Sequence, residues 1–306
     1  LEEAVASVKA QSYSRWELIV VDDASVPAVA LDNREYAGAE RVQLVVNQDD
    51  HGPSGARNAG IEAATGDVVT FVDDDDLIDP SALGLIAAAF AADTAPECLF
   101  VNVEPFGELA EGTLANQTRA LRKILGRLGL DADARTGYLA LPDKLFEILL
   151  DGVPMAFQRV AIKRSALSRV GRYMGRGFED IEFYFRVALR CRCALLADRV
   201  YRWRCSGQSF FTRAESKARL IDASIRIRGG LLELPEVSER ADLQRSVQRS
   251  LADAYFERAY FAYQDGKGFP WKDFVASCST GIAWRQASLL GKVLATAVSG
   301  RSPEPR

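Results

Sequence analysis

Apolar positions along the chain follow two alternating periods. Leu1, Val5 and Val8 fall on one face of an opening helix, and the β-branched run Glu17–Val21 then ends in Asp22, Asp23, Ala24 and Ser25. That is the pattern of a buried parallel strand entering a polar loop. Val42–Val46 predicts a second strand. The turn Gly52–Gly55 follows, with Ser54 expected as N-cap of a helix Gly55–Ala64 whose inner face is Ala56, Ala59, Gly60 and Ala63. Gly66 closes this helix, and the strand Asp67–Val72 runs into four consecutive acids, Asp73 to Asp76. Pro80 starts an Ala- and Leu-rich helix to about Ala92, and Cys98–Val103 reads as another strand.

From Glu104 to Asp151 the pattern loosens around a charged helical stretch, Leu114–Leu128. Arg159–Lys163 and Ala194–Trp203 read as strands flanking a helix Asp180–Arg190, with Gly175, Gly177 and Phe178 in the loop before it. Beyond Arg213 the pattern is helical, and Ile282, Leu289, Leu290, Val293, Leu294 and Ala297 gather near one face of the last helix. Strands alternating with helices specify an α/β fold with a mostly parallel sheet flanked by helices, Rossmann-like in style, with a helical C-terminal region. Ligands of such sheets sit at the carboxyl ends of the strands, where both acidic clusters fall. The divisions expected are 1–105, 106–212 with a variable insertion, and a helical subdomain 213–306.

Composition narrows the class. A chain of 306 residues, 48% hydrophobic, can bury a sizeable core, and its formal net charge of −4 with mixed signs provides no basic face for nucleic acid. Five cysteines argue against a disulfide framework and for a reducing, cytoplasmic setting. Cys191 and Cys193 are expected on one face of a strand, with no zinc spacing around them. Apolar stretches fall short of the roughly 20 residues a membrane span requires. The last helix leaves peripheral contact with the inner face of a membrane open, and the oligomeric state is open too.

The acids carry the chemistry. Carboxylates crowded at a strand end repel one another unless a cation joins them, and Mg²⁺ or Mn²⁺ takes one or two carboxylates together with substrate phosphates. A calcium loop of the EF-hand type starting at Asp73 fails, because its sixth and twelfth positions are Ile78 and Gly84. Asp22-Asp23 supplies a second acidic pair, and Arg57, expected in the first turn of its helix, suits a phosphate or carboxylate.

Leu1–Tyr13, Glu17–Ser25, Gly52–Gly60 and Phe71–Pro80, in this order and spacing, together resemble the family 2 glycosyltransferases of the GT-A fold. Looser similarity recurs at Gly177–Arg186 and Val200–Ser209. The resemblance implies a nucleotide-sugar donor, UDP being the family's commonest nucleotide, a saccharide or glycoconjugate acceptor, and a divalent metal. It makes 1–105 the nucleotide-sugar-binding part and 106–212 the acceptor side. It assigns Asp23 to the nucleobase, Arg57 to the nucleotide's vicinity, Asp73 to the ribose and Asp75 to the metal, with Asp76 in reserve. In Glu179-Asp180 it implies a general base, Asp180, which also suits the N-cap of the following helix.

Two departures bear on this reading. The family's first strand has no counterpart ahead of Leu1, and the resemblance puts that strand between Glu17–Val21 and Val68–Val72. A gap or an improvised pairing is expected there, with reduced or absent activity. Cys205 stands where many relatives carry a histidine; the one histidine, His51, reads as a loop residue, and no Ser-His-Asp hydrolase pattern is present. The rivals are a sugar-phosphate nucleotidyltransferase and a non-catalytic carbohydrate- or partner-binding module on the same fold.

Overall fold

A computed structural model describes the chain apart from residues 30–40, 49, 132, 135, 176–177, 207–214, 267 and 300–306, and apart from the side chains of 215–216 and 297–299. The chain divides into two compact units, Leu1–Gly207 and Gln208–Arg306. Gly177 and the 207–209 end of the looser similarity lie outside the described residues.

In the first unit the order is α1 Glu2–Lys9, β1 Leu18–Asp22, β2 Val42–Val46, α2 Pro53–Ala63, β3 Val68–Thr70, β4 Leu77–Ile78, α3 Ala82–Ala91 and β5 Cys98–Phe106. There follow α4 Ala110–Leu128, β6 Tyr138–Ala140, α5 Leu145–Leu149, a 3₁₀ turn Met155–Phe157, β7 Val160–Lys163, α6 Arg164–Val170, α7 Glu179–Arg190 and β8 Cys193–Arg204. The strands form two sheets. β1 and β2 pair in parallel, with Val20 opposite Leu44. The larger sheet runs β3-β7-β5-β8-β4, and β6 also pairs with β8.

This larger sheet is mixed rather than mostly parallel. β5 and β8 run parallel, whereas β7 is antiparallel to both β3 and β5, and β4 and β6 are antiparallel to β8. The expectation rested on sequence-adjacent strands becoming neighbours. Here β5 instead takes β7 and β8 as partners, and the chain returns between them through α4, α5 and α6.

β5 is an apolar run buried on both faces. Leu99, Val101 and Val103 face a core of Val8, Ile78, Ala82, Ile86, Ala161, Leu196 and Tyr201. Phe100 points the other way, its ring 5.0 Å from that of Phe157 and 6.2 Å from that of Tyr184. Period-two alternation thus seats α1 and α3 on one face and α7 on the other. Removing a ring such as that of Phe100 from this core costs about 3–5 kcal/mol.

A gap lies between the sheets. Among the described residues β1 pairs only with β2, and β3 only with β7. Leu18–Val21 and Val68–Val72 line opposite parts of one cleft of about 1750 Å³. The loss of sheet partners explains why β3 is cut to three residues where the sequence suggests Asp67–Val72. It also explains α2. Its deepest residues are Ser54, Gly55 and Asn58, whereas Ala56 and Gly60, expected to pack inward, are half-buried and line the cleft. Gly55 is required for a different reason: a Cβ there would lie 1.7 Å from the Asp50 carbonyl oxygen.

Several ends shift. α2 begins at Pro53 behind Gly52, not behind a Ser54 cap, because the Ser54 hydroxyl donates to the Gly175 carbonyl at 2.8 Å. α3 begins at Ala82, with Pro80 in the preceding turn. Cys191 sits at the C-terminal cap of α7 and only Cys193 lies in β8, so the two do not share a strand face.

The second unit holds α8 Glu215–Leu231, α9 Pro235–Ser238, α10 Ala241–Gln264, α11 Trp271–Ser277 and α12 Trp284–Ser299. Leu289 and Val293 of α12 pack with Phe274 of α11 and Ala259 of α10. The apolar face of α12 therefore serves its own unit, while Ile282 and Leu294, read as part of that face, are exposed. No described helix is long and apolar enough to cross a membrane.

Candidate active site

Two acid loops, one after β1 and one after β3, open into the cleft with Arg57 and Glu179. Asp23, Arg57, Asp73, Asp74, Asp75 and Glu179 all line it.

The first loop is closed by its own donors. The Asp22 carboxylate, buried, accepts the Ser25 and Val29 backbone N–H groups, both at 2.9 Å, and these hold its pKa below the ordinary value. Asp23 accepts from Asn47 Nδ2 at 2.7 Å and from the Gly52 N–H at 2.6 Å, with His51 Nδ1 at 3.1 Å. Partial burial opposes its charge, but the Asn47, His51 and Gly52 contacts outweigh burial and lower its pKa. His51 is an exposed turn residue whose contact in the cleft is Asp23.

The second loop is met by arginines. Arg57, in the second turn of α2 rather than the first, donates from Nη1 to Glu179 Oε1 at 2.9 Å and from Nη2 to Asp73 Oδ1 at 3.2 Å. It thereby ties the β3 loop to the start of α7. Arg159, at the entry to β7, donates to Asp73 Oδ2 at 2.9 Å and to Asp76 Oδ2 at 3.2 Å, with its guanidinium 4.8 Å from the Tyr201 ring centre. Burial opposes the charge on Asp73, and Arg159 and Arg57 overcome it, lowering its pKa. Asp76 is 1% exposed and accepts from the Arg204 N–H at 2.7 Å and the Tyr201 hydroxyl at 2.9 Å. Burial nevertheless pushes its carboxyl up to about 6. Facing inward and occupied by these donors, Asp76 anchors the loop and is not placed to serve as the reserve metal ligand.

Asp75 differs from both neighbours. Burial, then the negative charges of Asp73 and Asp74, raise its pKa, with Arg159 only partly compensating. A carboxylate held among like charges is what a divalent cation relieves. Among the described residues no three His, Cys, Asp or Glu side chains gather into a protein-only metal cage. The donor set fits a metal that takes one carboxylate or two and completes its shell with phosphate and water oxygens.

Asp180 lies in the first turn of α7, but the cap position is Phe178, in the left-handed region at φ 59°, so Asp180 is not the N-cap. Its Oδ1 accepts the Ile181 N–H at 2.8 Å. Burial first, then Glu179, raises the Asp180 pKa against the pull of Arg57 and Arg159. Glu179 Oε1 is paired with Arg57. Cys205 is buried and lies off the cleft lining, with Sγ directed to the Trp203 carbonyl.

Arg159, Tyr201 and Arg204 were not singled out from the sequence. The usable signal was charge: an arginine opening the apolar run Val160–Ile162 and alternate arginines in Tyr201–Arg204, both on strands whose ends meet the Asp73–Asp76 loop.

A central sheet flanked by helices matches the fold of GT-A glycosyltransferase structures. A crystal structure of residues 1–349 of TarS from S. aureus, 16% identical, aligns over 98% of this chain and 87% of its own with a TM-score of 0.54. The mannosyltransferase PcManGT from Pyrobaculum calidifontis, solved with GDP-Man and Mn²⁺, is 17% identical and aligns over 97% of this chain and 76% of its own, with a TM-score of 0.52. Residues 1–134 match Glycosyl transferase family 2. Among curated relatives, the O-antigen biosynthesis protein RfbC of Myxococcus xanthus is 37% identical over 114 residues, 37% of this chain and 9% of that protein. The matched segments span 9–32% of the lengths of the curated relatives.

Proposed function

We propose that the chain transfers a sugar from a nucleoside diphosphate sugar to an acceptor hydroxyl, with inversion, in the building of a polysaccharide or glycoconjugate. The observation that carries this reading is the Arg57 bridge between Asp73 and Glu179, which brings the donor-side acids and Glu179, the residue before Asp180, to one cleft. The match of residues 1–134 to Glycosyl transferase family 2 and the PcManGT complex, which holds a nucleotide sugar and Mn²⁺, support it.

In this reading Asp23 accepts from the donor's base and Asp73 faces the ribose. Arg57 keeps Asp73 oriented and adds positive charge beside the nucleotide. Asp75 would hold Mn²⁺ or Mg²⁺, and such an ion would supply Lewis-acid neutralisation of the leaving group, worth several kcal/mol. Asp180 takes the proton of the acceptor hydroxyl as its oxygen attacks the anomeric carbon and the bond to the diphosphate breaks. A raised carboxyl pKa strengthens such a base, and a placed base contributes about 10² to 10⁴ in rate.

The test is product analysis with UDP- and GDP-sugars, Mn²⁺ and a panel of saccharide acceptors. The reading expects acceptor-dependent release of nucleoside diphosphate and one anomeric configuration in the product, inverted from the donor. Pyrophosphate release from a nucleoside triphosphate and a sugar phosphate would replace it with the nucleotidyltransferase reading. Sugar binding indifferent to metal and nucleotide would replace it with the binding-module reading.

A further inference from the structure

The second unit carries an apolar surface that its own core does not use. Within α11, Phe274 and Ser277 turn inward, and α12 turns Gln286, Leu289 and Val293 inward. Outside that packing, Trp271 is 53% exposed, Val275 67%, Ile282 76% and Trp284 84%. Trp271 and Val275 are one helical turn apart, Ile282 lies in the connection, and Trp284 is the first residue of α12. Four large apolar side chains in fourteen consecutive residues, two of them indoles in water, exceed the scattered exposure of an ordinary surface.

The sequence beyond Asp273 is short of acids. From Phe274 to Pro303 the sequence contains no carboxylate, while Arg285, Lys292 and Arg301 lie within it and Lys272 stands beside Trp271. The flanking acid, Asp273, is engaged by Arg258 at 2.6 and 2.8 Å, and Arg285 pairs with Asp253. Lys272 and Lys292 are exposed. Indoles beside lysines, with the one acid between Trp271 and Trp284 held by Arg258, match an interface that is apolar below and negative above: tryptophan sits at headgroup level, and ammonium groups gain from anionic headgroups. A protein partner of ordinary composition calls for neither the doubled indole nor the missing carboxylates.

We propose that the α11–α12 hairpin docks on an anionic lipid surface through Trp271, Val275, Ile282 and Trp284, with Lys272 and Lys292 held by the headgroups. This goes beyond sugar transfer and stands whether or not that reading holds.

The experiment is sedimentation of the whole chain with vesicles of phosphatidylcholine alone and of phosphatidylcholine mixed with phosphatidylglycerol, with tryptophan emission recorded in parallel. Binding to the mixed vesicles with a blue shift is expected, weakened by salt. The double variant Trp271→Ser, Trp284→Ser is expected to lose about tenfold or more in partition, and Lys272→Glu with Lys292→Glu to lose binding to the anionic vesicles. These side chains are exposed, so unchanged circular dichroism and melting serve as the folding control. Failure of the folded parent chain to bind mixed vesicles overturns the proposal. So does binding equal on both vesicle types, or a dimer in light scattering that the Trp271→Ser, Trp284→Ser variant converts to monomer, since a second copy would then own the surface.

Discussion

The loops after β1 and β3 open into the same cleft and resolve their charge by opposite means. In the first, Asp22 and Asp23 take donors from Ser25, Val29, Asn47, His51 and Gly52, and both pKa values fall. In the second, buried arginines satisfy Asp73, Asp76 stays high at about 6, and Asp75 is raised by burial first and then by Asp73 and Asp74. A loop whose carboxylates are met by protein donors holds its charge without a metal. A loop that keeps surplus negative charge after two arginines suits the cation that the proposed function gives it.

The sharpest way to break this contrast is through the acid that belongs to neither loop. Asp180→Asn is expected to lower turnover by about 10² to 10⁴ while leaving nucleoside diphosphate affinity within about twofold, measured by steady-state kinetics and titration. A parallel loss of affinity would make Asp180 part of the donor loop instead.

Arg159→Met comes next. It leaves Asp73 and Asp76 without their shared guanidinium, and a broken buried pair costs about 3–5 kcal/mol, which urea unfolding would register. A loss below about 1 kcal/mol would mean that Arg57 alone neutralises the loop.

The pH dependence of stability separates the loops by sign. Asp76 titrates near 6 when folded and near 3.8 in an ordinary environment, so the folded state binds its proton more tightly. Its contribution therefore improves as pH falls from about 7 to about 4, by on the order of 3 kcal/mol. Asp22 and Asp23 do the reverse: their contribution is present above the ordinary carboxylate range and fades as pH drops through their lowered values. The stability of the parent chain relative to Asp76→Asn should rise as pH falls through 6, and a flat difference would contradict the burial of that charge.

The smallest effect belongs to the first loop. Asp23→Asn keeps one acceptor and loses charge-assisted bonds to Asn47, His51 and Gly52, which is expected to cost about 1.5–3 kcal/mol of stability. A null result by thermal melting would show that these donors prefer water to Asp23.

How far the sequence could be read follows the same physics. β2 and the core strands β5 and β8 were legible because runs such as Cys98–Val103 are apolar without interruption. The acids were legible because Asp73–Asp76 repel unless used. What escaped was non-local. The antiparallel insertion of β7 between β3 and β5 follows from no local pattern. Nor could period alone show that Ser54 would spend its hydroxyl on Gly175, moving the start of α2 and with it Arg57. Arg159 was invisible as a site residue because an arginine before Val160 looks like an ordinary strand boundary until Asp73 and Asp76 are folded against it.

The most direct test of the central claim, a donor loop poised for a metal at Asp75, is calorimetric titration of UDP and GDP into this chain with and without Mn²⁺. One nucleotide should bind at least about tenfold tighter with Mn²⁺, and Asp75→Ala should erase that gain while leaving metal-free binding and melting unchanged. Metal-independent binding, or a Mn²⁺ effect that survives Asp75→Ala, would contradict it.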